Sequence, residues 1–349
     1  MPGFFYLMML GVTAAAVTWL ATPLASLLGR RMGAWDQPDE LGIHQTATPR
    51  TGGIAIAVGL FIGAQAAWSQ SVDIIANRLV VAAATGSAMV FIVGLLDDLR
   101  EIKPYAKALG LVAAAVTGQL IAPHASVTGF ERLDFIIGVF ILMLGANAVN
   151  LLDGMDGLAS GLTVIMGLGF AAILFLDGRP LLTAQSLILS GAALGFWASN
   201  RPPARIFMGD CGSLMLGYIL AGMALRTSTY GPNQLVAAAS ILSLPILDTG
   251  LAMLRRLLAR EDIFTGDRKH VYDLLYLRLR SVWRVDLVMY LVAAAFAGMG
   301  VAMLYLPWPA SLGLLVASWM GMFCWMVHLG MFSNRSDKSD EHQSTETYD

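Results

Sequence analysis

The feature that most constrains this chain is a succession of apolar runs, each near the roughly 20 residues that a helix needs to cross a bilayer. They fall at about 3–28, 53–69, 79–96, 106–122, 134–150, 158–176, 181–199, 213–226, 235–254, 286–306 and 310–332. In hydrocarbon only structures that satisfy their backbone hydrogen bonds internally are viable, and runs of this length point to helices. The expectation is an all-α polytopic integral membrane protein with about 11 transmembrane helices. Ten is the alternative count, because 213–226 is short and 53–69 carries glycines that lower helix propensity. Composition agrees: 57% of residues are hydrophobic and 13% charged, against about a quarter charged in soluble domains.

Orientation follows from the basic residues. The first run has none before it and is followed at once by Arg30 and Arg31, so its N-terminus is expected outside. Alternation then puts 29–52, 97–105, 151–157, 200–212, 255–285 and the tail on the cytoplasmic side. That side holds eighteen Lys and Arg residues; the other holds four, Arg78, Arg132, Arg179 and Arg226. The imbalance obeys the positive-inside rule. Because the basic residues are spread over several loops and the net charge is -2, no nucleic-acid partner is expected. Cys211 and Cys324 supply neither a disulfide framework nor a zinc site. Residues 1–332 are expected to form a single transmembrane catalytic domain, and 333–349 a disordered polar cytoplasmic tail.

Five polar clusters interrupt the apolar runs, all on the side assigned to the cytoplasm. Carboxylates at membrane depth are costly unless paired or ion-bound, which makes them functional candidates. Asp97 and Asp98 are adjacent and precede Arg100, Lys103 and Lys107. Neighbouring carboxylates repel, so a cation or basic partner is expected to hold them ionised. The bland alternative is a solvated helix end. In Asn147-Ala-Val-Asn150-Leu-Leu-Asp153-Gly-Met-Asp156-Gly157, two amides and two carboxylates offer hard oxygen ligands beside glycines that let a ligand approach the backbone. A plain turn does not need asparagines one and two turns up the helix.

Phe207-Met-Gly-Asp210-Cys-Gly-Ser213 offers either a helix cap or a metal-ligand candidate, Asp210, with an aromatic surface in Phe207 for a planar base. His44-Gln-Thr-Ala-Thr48-Pro49-Arg50-Thr51-Gly52-Gly53 carries Arg50, suited to phosphate. The segment 255–285 contains Asp267-Arg268-Lys269-His270-Val-Tyr272-Asp273. Together the groups describe a site for phosphates and a divalent cation at the membrane surface, as phosphoryl transfer requires.

These motifs, in this order from His44 to Asp273, resemble the polyprenyl-phosphate N-acetylhexosamine-1-phosphate transferases of glycosyltransferase family 4, the superfamily of WecA, TagO and MraY. About 11 spans look like the WecA and TagO branch. Where that branch reads His-x-His-His, this chain reads His270-Val271-Tyr272-Asp273, and the three-histidine run of MraY is absent.

The resemblance implies transfer of a sugar 1-phosphate from a UDP-N-acetylhexosamine, UDP-GlcNAc first among them, to undecaprenyl phosphate, with release of UMP. It would be the initiating step of cell-envelope polysaccharide synthesis at the bacterial cytoplasmic (inner) membrane. It implies Asp97, Asp98 and Asp210 as catalytic, with Mg2+ (Mn2+ as the alternative) at Asp98 and Asp210. Arg50, Lys107 and His270 would meet phosphates, Asn147, Asn150, Asp153 and Asp156 the nucleotide side, and Phe207 the uracil. Direct attack and a covalent aspartyl intermediate both remain open, as does a homodimer.

Two other classes compete. An ion-coupled secondary transporter would show repeat symmetry and polar groups near the midplane, whereas these crowd one face. A CDP-alcohol phosphatidyltransferase would carry an Asp-Gly-x-x-Ala-Arg signature, and Asp156 continues instead as Gly-Leu-Ala-Ser-Gly.

Overall fold

The computed structural model describes residues 3–36, 47–68, 74–122, 128–260 and 269–332. His44, Asp267, Arg268 and the expected disordered tail at 333–349 lie outside the described residues. Among the described residues there are thirteen helices: α1 (Phe4–Met32), α2 (Gly52–Trp68), α3 (Ile74–Arg100), α4 (Pro104–Ile121), α5 (Glu131–Leu152), α6 (Leu158–Leu176), α7 (Pro180–Asn200), α8 (Gly209–Ser228), α9 (Pro232–Ile241), α10 (Ser243–Ala259), α11 (Val271–Leu279), α12 (Val282–Met303) and α13 (Trp308–Leu329). Two short antiparallel strands, β1 (Trp35–Asp36) and β2 (Thr48–Pro49), join α1 to α2. Prolines open α4, α7, α9 and α13, where the missing N–H costs nothing and the fixed φ suits a first turn.

The protein is an all-α polytopic membrane protein. Its outer surface carries Phe5, Phe61, Leu109, Ile136, Leu257 and Leu291, each more than half exposed, a belt that only lipid can cover. On α10 the pattern is inside out. Leu254, Leu257 and Leu258 point outward while Arg255 and Arg256 are buried.

Among the described residues seven helices are long and apolar enough to cross a bilayer, and an eighth span appears if α9 and α10 are taken together. Every one of the eleven expected stretches falls on helix, but α2, α4 and α8 do not meet the same standard alone. The reasons are local: α2 is only 17 residues long, α4 includes Lys107 and Gln119, and α8 includes Asp210 and Arg226.

The expected continuous span at 235–254 is corrected. It is two helices bent by 70°. Pro245 explains the break, since its ring excludes the carbonyl four residues back, at Ile241, where α9 ends. The expected loop 255–285 also contains helical structure, the end of α10, all of α11 and the first turn of α12.

Packing relies on small residues, as it must where lipid is as apolar as leucine. Gly11 of α1 lies against the backbone of Leu187 and Gly191 on α7, so closely that any side chain there would collide. A larger core gathers around α1, α6, α7 and α12, with Phe170 and Phe196 fully buried; a smaller one fills the space between α3, α4, α5 and α8 around Leu111, Leu142 and Leu214.

Candidate active site

Four helix ends meet at one face of the bundle: the C-terminal ends of α3 and α5 and the N-terminal ends of α4 and α8. Asp97, in the last turn of α3, accepts hydrogen bonds from the Ile102 backbone N–H at 2.8 Å and from Lys107 Nζ at 2.9 Å. The same ammonium, in the first turn of α4, also donates to Asp210 at the start of α8. The second oxygen of Asp210 accepts from Asn150 Nδ2 at 2.8 Å, and that amide reaches Ser213 Oγ at 2.9 Å. The Asp97, Lys107 and Asp210 side chains keep only 18%, 19% and 27% of their surface exposed. One ammonium therefore lies between two carboxylates at this partly exposed face.

Asp98 points the other way. It is buried, and its two oxygens accept from the backbone N–H groups of Asp210 at 2.8 Å and Cys211 at 3.0 Å. The first N–H groups of a helix have no partner within it, and α8 has no side-chain cap of its own. Asp98 supplies that cap from α3. Gly209 makes the approach feasible: its φ is +69°, and a Cβ there would lie 2.6 Å from a carboxylate oxygen of Asp98.

Arg50 donates from Nε to the Asp98 carbonyl at 3.2 Å, with Glu101 3.9 Å from its Nη2. Its segment is sewn to the loop before Asp210, because Phe207 N–H donates to Pro49 O and Gly52 and Gly53 N–H donate to Phe207 O and Met208 O. Two clusters that the sequence separates by more than 150 residues thus form one backbone unit. Phe207 is half-buried, three residues before Asp210.

Within the segment 147–157 the expected residues diverge. Asn150 joins the carboxylates, whereas Asn147 donates to Met143 O in its own helix. Asp156 accepts from Ala204 N–H at 2.9 Å and pins the following loop. Asp153 caps α5. Enclosure by protein pushes its carboxyl well above the usual carboxylate range, and the negative charges of Asp210, Asp98, Asp156 and Asp36 push it further.

His270 is buried, with Nδ1 2.6 Å from Asp248 Oδ2, while Val271 N–H donates to the other oxygen of Asp248. The His270 and Tyr272 rings lie parallel with centroids 5.8 Å apart, and Tyr272 donates to Leu151 O at 3.2 Å. His270 is thereby connected to the site through Tyr272. Asp273 accepts from His270 N–H, closing a capping box on α11.

Sequence reasoning missed several supports. Asn200 accepts from Gly157 N–H and Ser160 Oγ and donates to Ile206 O, while Tyr290 donates to Gly157 O at 2.6 Å. Asp248 and Asp286 are buried carboxylates on α10 and α12. A single acid inside an otherwise apolar run was the available signal for both.

Among the described residues, no three His, Cys, Asp or Glu side chains are grouped to hold a metal ion by themselves.

With this geometry in view, known proteins give the chain its class. A model described as glycosyl transferase family 4 matches residues 79–228. A Bacillus subtilis protein named probable undecaprenyl-phosphate N-acetylglucosaminyl 1-phosphate transferase is 33% identical over 80% of this chain and 79% of its own length. A Mycobacterium tuberculosis decaprenyl-phosphate N-acetylglucosaminephosphotransferase is 31% identical over 82% of this chain and 79% of its own. A phospho-N-acetylmuramoyl-pentapeptide-transferase of Synechococcus is 31% identical over 63% of this chain and 65% of its own. These relatives make the chain a membrane phosphoglycosyltransferase. Within that class the chain belongs to glycosyl transferase family 4.

Proposed function

We propose that the protein transfers N-acetylglucosamine 1-phosphate from UDP-GlcNAc to undecaprenyl phosphate, releasing UMP, at the cytoplasmic face of a bacterial inner membrane. The chain would cross that membrane eleven times, with α2, α4 and α8 among the crossings and α9 with α10 as one broken span. The names of the relatives support the chemistry. The observation that carries the reading is the Lys107 ammonium held between Asp97 and Asp210 beside Asn150.

An oxygen of the lipid phosphate attacks the β-phosphorus of the nucleotide sugar. The bond from that phosphorus to the oxygen bridging to the α-phosphate breaks, and its electron pair leaves with UMP. Asp97 orients the attacking phosphate and takes its remaining proton where one is present. Lys107 and Arg50 offset charge on the phosphates, as preorganised donors do in other phosphoryl transfers. Asn150, Asp153 and Asp156 form the nucleotide side with Phe207 against uracil. His270, paired with Asp248, supports that segment through Tyr272 and its bond to Leu151 O.

The donor set fits Mg2+, which takes one or two carboxylates and completes its shell with water and substrate phosphate. Asp210 and Asp97 would hold it, and it would supply charge neutralisation at the diphosphate. Asp98, whose oxygens both serve α8, is assigned to positioning Asp210 instead.

The test is UMP release by purified protein given UDP-GlcNAc, undecaprenyl phosphate and Mg2+. Stoichiometric release that needs all three supports the reading. Ion or solute flux in liposomes without UMP release would replace it with a transporter.

A further inference from the structure

A cleft of about 310 Å3 lies between α2, α3, α7 and α8, running along α8 from Met215, five residues beyond Asp210, to Arg226 near the opposite end of the bundle. Its lining is almost wholly apolar and includes Phe61, Val80, Phe91 and Ile219, with Arg226 among the residues at one end. Phe61 and Ala88, also in the lining, are exposed on the outer surface, so the cleft opens sideways toward lipid. Along α3 the lining runs from Val80 to Phe91, about 16 Å at the helical rise.

Arg226 is 6% exposed. Its Nη2 donates to Leu79 O at 3.0 Å, while Nη1 is buried with no hydrogen-bond partner among the described residues. It makes no ion pair with a described carboxylate. A buried cation without an anion is expensive in any apolar setting. Arg226 lies sixteen residues beyond Asp210 on α8, or about 24 Å along the axis. Leu79, its carbonyl partner, is eighteen residues before Asp97 on α3, or about 27 Å. In a hydrocarbon core about 30 Å thick, Arg226 therefore stands near the boundary opposite the catalytic cluster.

We propose that the cleft is a binding site for an anionic phospholipid of the opposite leaflet, its phosphate on Arg226 and one acyl chain in the cleft. Charge complementarity selects the head group. Length selects the tail, since about 16 Å is the depth of one leaflet, roughly half of the hydrocarbon core. A polyprenyl chain is much longer, and its phosphate belongs at the other face. The site is separate from the transfer reaction and does not depend on the sugar or acceptor assigned above.

The experiment uses the full chain, delipidated in neutral detergent, with the thermal midpoint read as lipid is titrated. Dioleoyl phosphatidylglycerol should raise Tm saturably by about 2 °C or more. Phosphatidylcholine and short-chain dihexanoyl phosphatidylglycerol should give clearly smaller shifts. Arg226→Gln should abolish the preference for phosphatidylglycerol over phosphatidylcholine. Ala83→Phe, which fills the cleft without touching the charge, should abolish the response to the long-chain lipid while UMP release persists. Equal shifts from the two phospholipids in the wild-type protein overturn the proposal, as does a preference that survives Arg226→Gln. A shift from undecaprenyl phosphate that Ala83→Phe or Arg226→Gln abolishes overturns the choice of occupant. If Arg226→Gln does not fold, the wild-type titrations and Ala83→Phe still decide.

Discussion

Lys107 donates to two carboxylates that belong to different helices, and each would repel the other without it. Lys107→Met should therefore lower Tm and remove transfer, because it leaves Asp97 and Asp210 enclosed with no compensating charge. Added Mg2+ should restore more stability in this variant than in the wild type, since the ion can occupy the place of the ammonium. A variant whose Tm does not rise with Mg2+ would show that no cation binds between the two acids. Asp153 gives a second reading, through pH. Its carboxyl is raised above the ordinary 3.8 by enclosure first and by the neighbouring acids next. Between that value and its folded pKa, the native state holds a proton that the unfolded chain has released. Stability from this group is complete below the unfolded value and is lost as pH rises through the folded one. Asp153→Asn, which needs no proton, should flatten the fall of Tm above about pH 4, so that its advantage over the wild type grows with pH. Parallel Tm curves for the two proteins would refute the assignment.

The element most dependent on a distant residue is α8. Its start is set by the Asp98 carboxylate from α3, by Asn150 from α5 and by the strand-like pairing of 49–53 with 207–208. Asp98→Asn keeps the size of the side chain but turns two charge-assisted bonds into at most one neutral acceptor. It should cost about 1–3 kcal/mol of stability and lower kcat by misplacing Asp210. Asp210→Asn should abolish transfer with a smaller change in Tm. If the two substitutions were indistinguishable, with full stability and no activity in both, Asp98 would be acting on the substrate or metal and not on the helix. The sequence made the Asp98 and Asp210 motifs visible as polar punctuation of apolar runs. It could not show that one caps the other, because a carboxylate that serves a helix and one that serves a ligand look alike in one dimension. For the same reason the sequence shows Asp273 only as part of a polar motif, whereas in the structure it closes the turn of α11. The break between α9 and α10 was legible in Pro245, yet hydropathy alone runs straight through it.

At the scale of the whole molecule, the helical membrane class was readable because hydrophobic run length is set by the bilayer and needs no tertiary knowledge. The number of crossings was less so, since a helix packed among protein neighbours need not be as apolar as one bathed in lipid, as Lys107, Asp210 and Arg226 on α4 and α8 illustrate. Orientation rests on charge counts, eighteen basic residues against four, and the bundle adds a constraint: if α3 and α4 each cross once, their ends at Glu101 and at Gly129 must lie on opposite sides. With Cys211 and Cys324 replaced, Glu101→Cys should resist a membrane-impermeant maleimide in intact cells and react after permeabilisation. Gly129→Cys should react at once. The same reagent applied to a cysteine added after Asp349 tests the parity of the count, because eleven crossings with an external N-terminus put the C-terminus beside Glu101, whereas ten put it beside Gly129. A tail that reacts in intact cells while Glu101→Cys stays protected would keep the cytoplasmic active face and remove one crossing. Reaction of Glu101→Cys in intact cells would reverse the orientation and with it the proposed access of a cytoplasmic nucleotide sugar to Asp97 and Asp210.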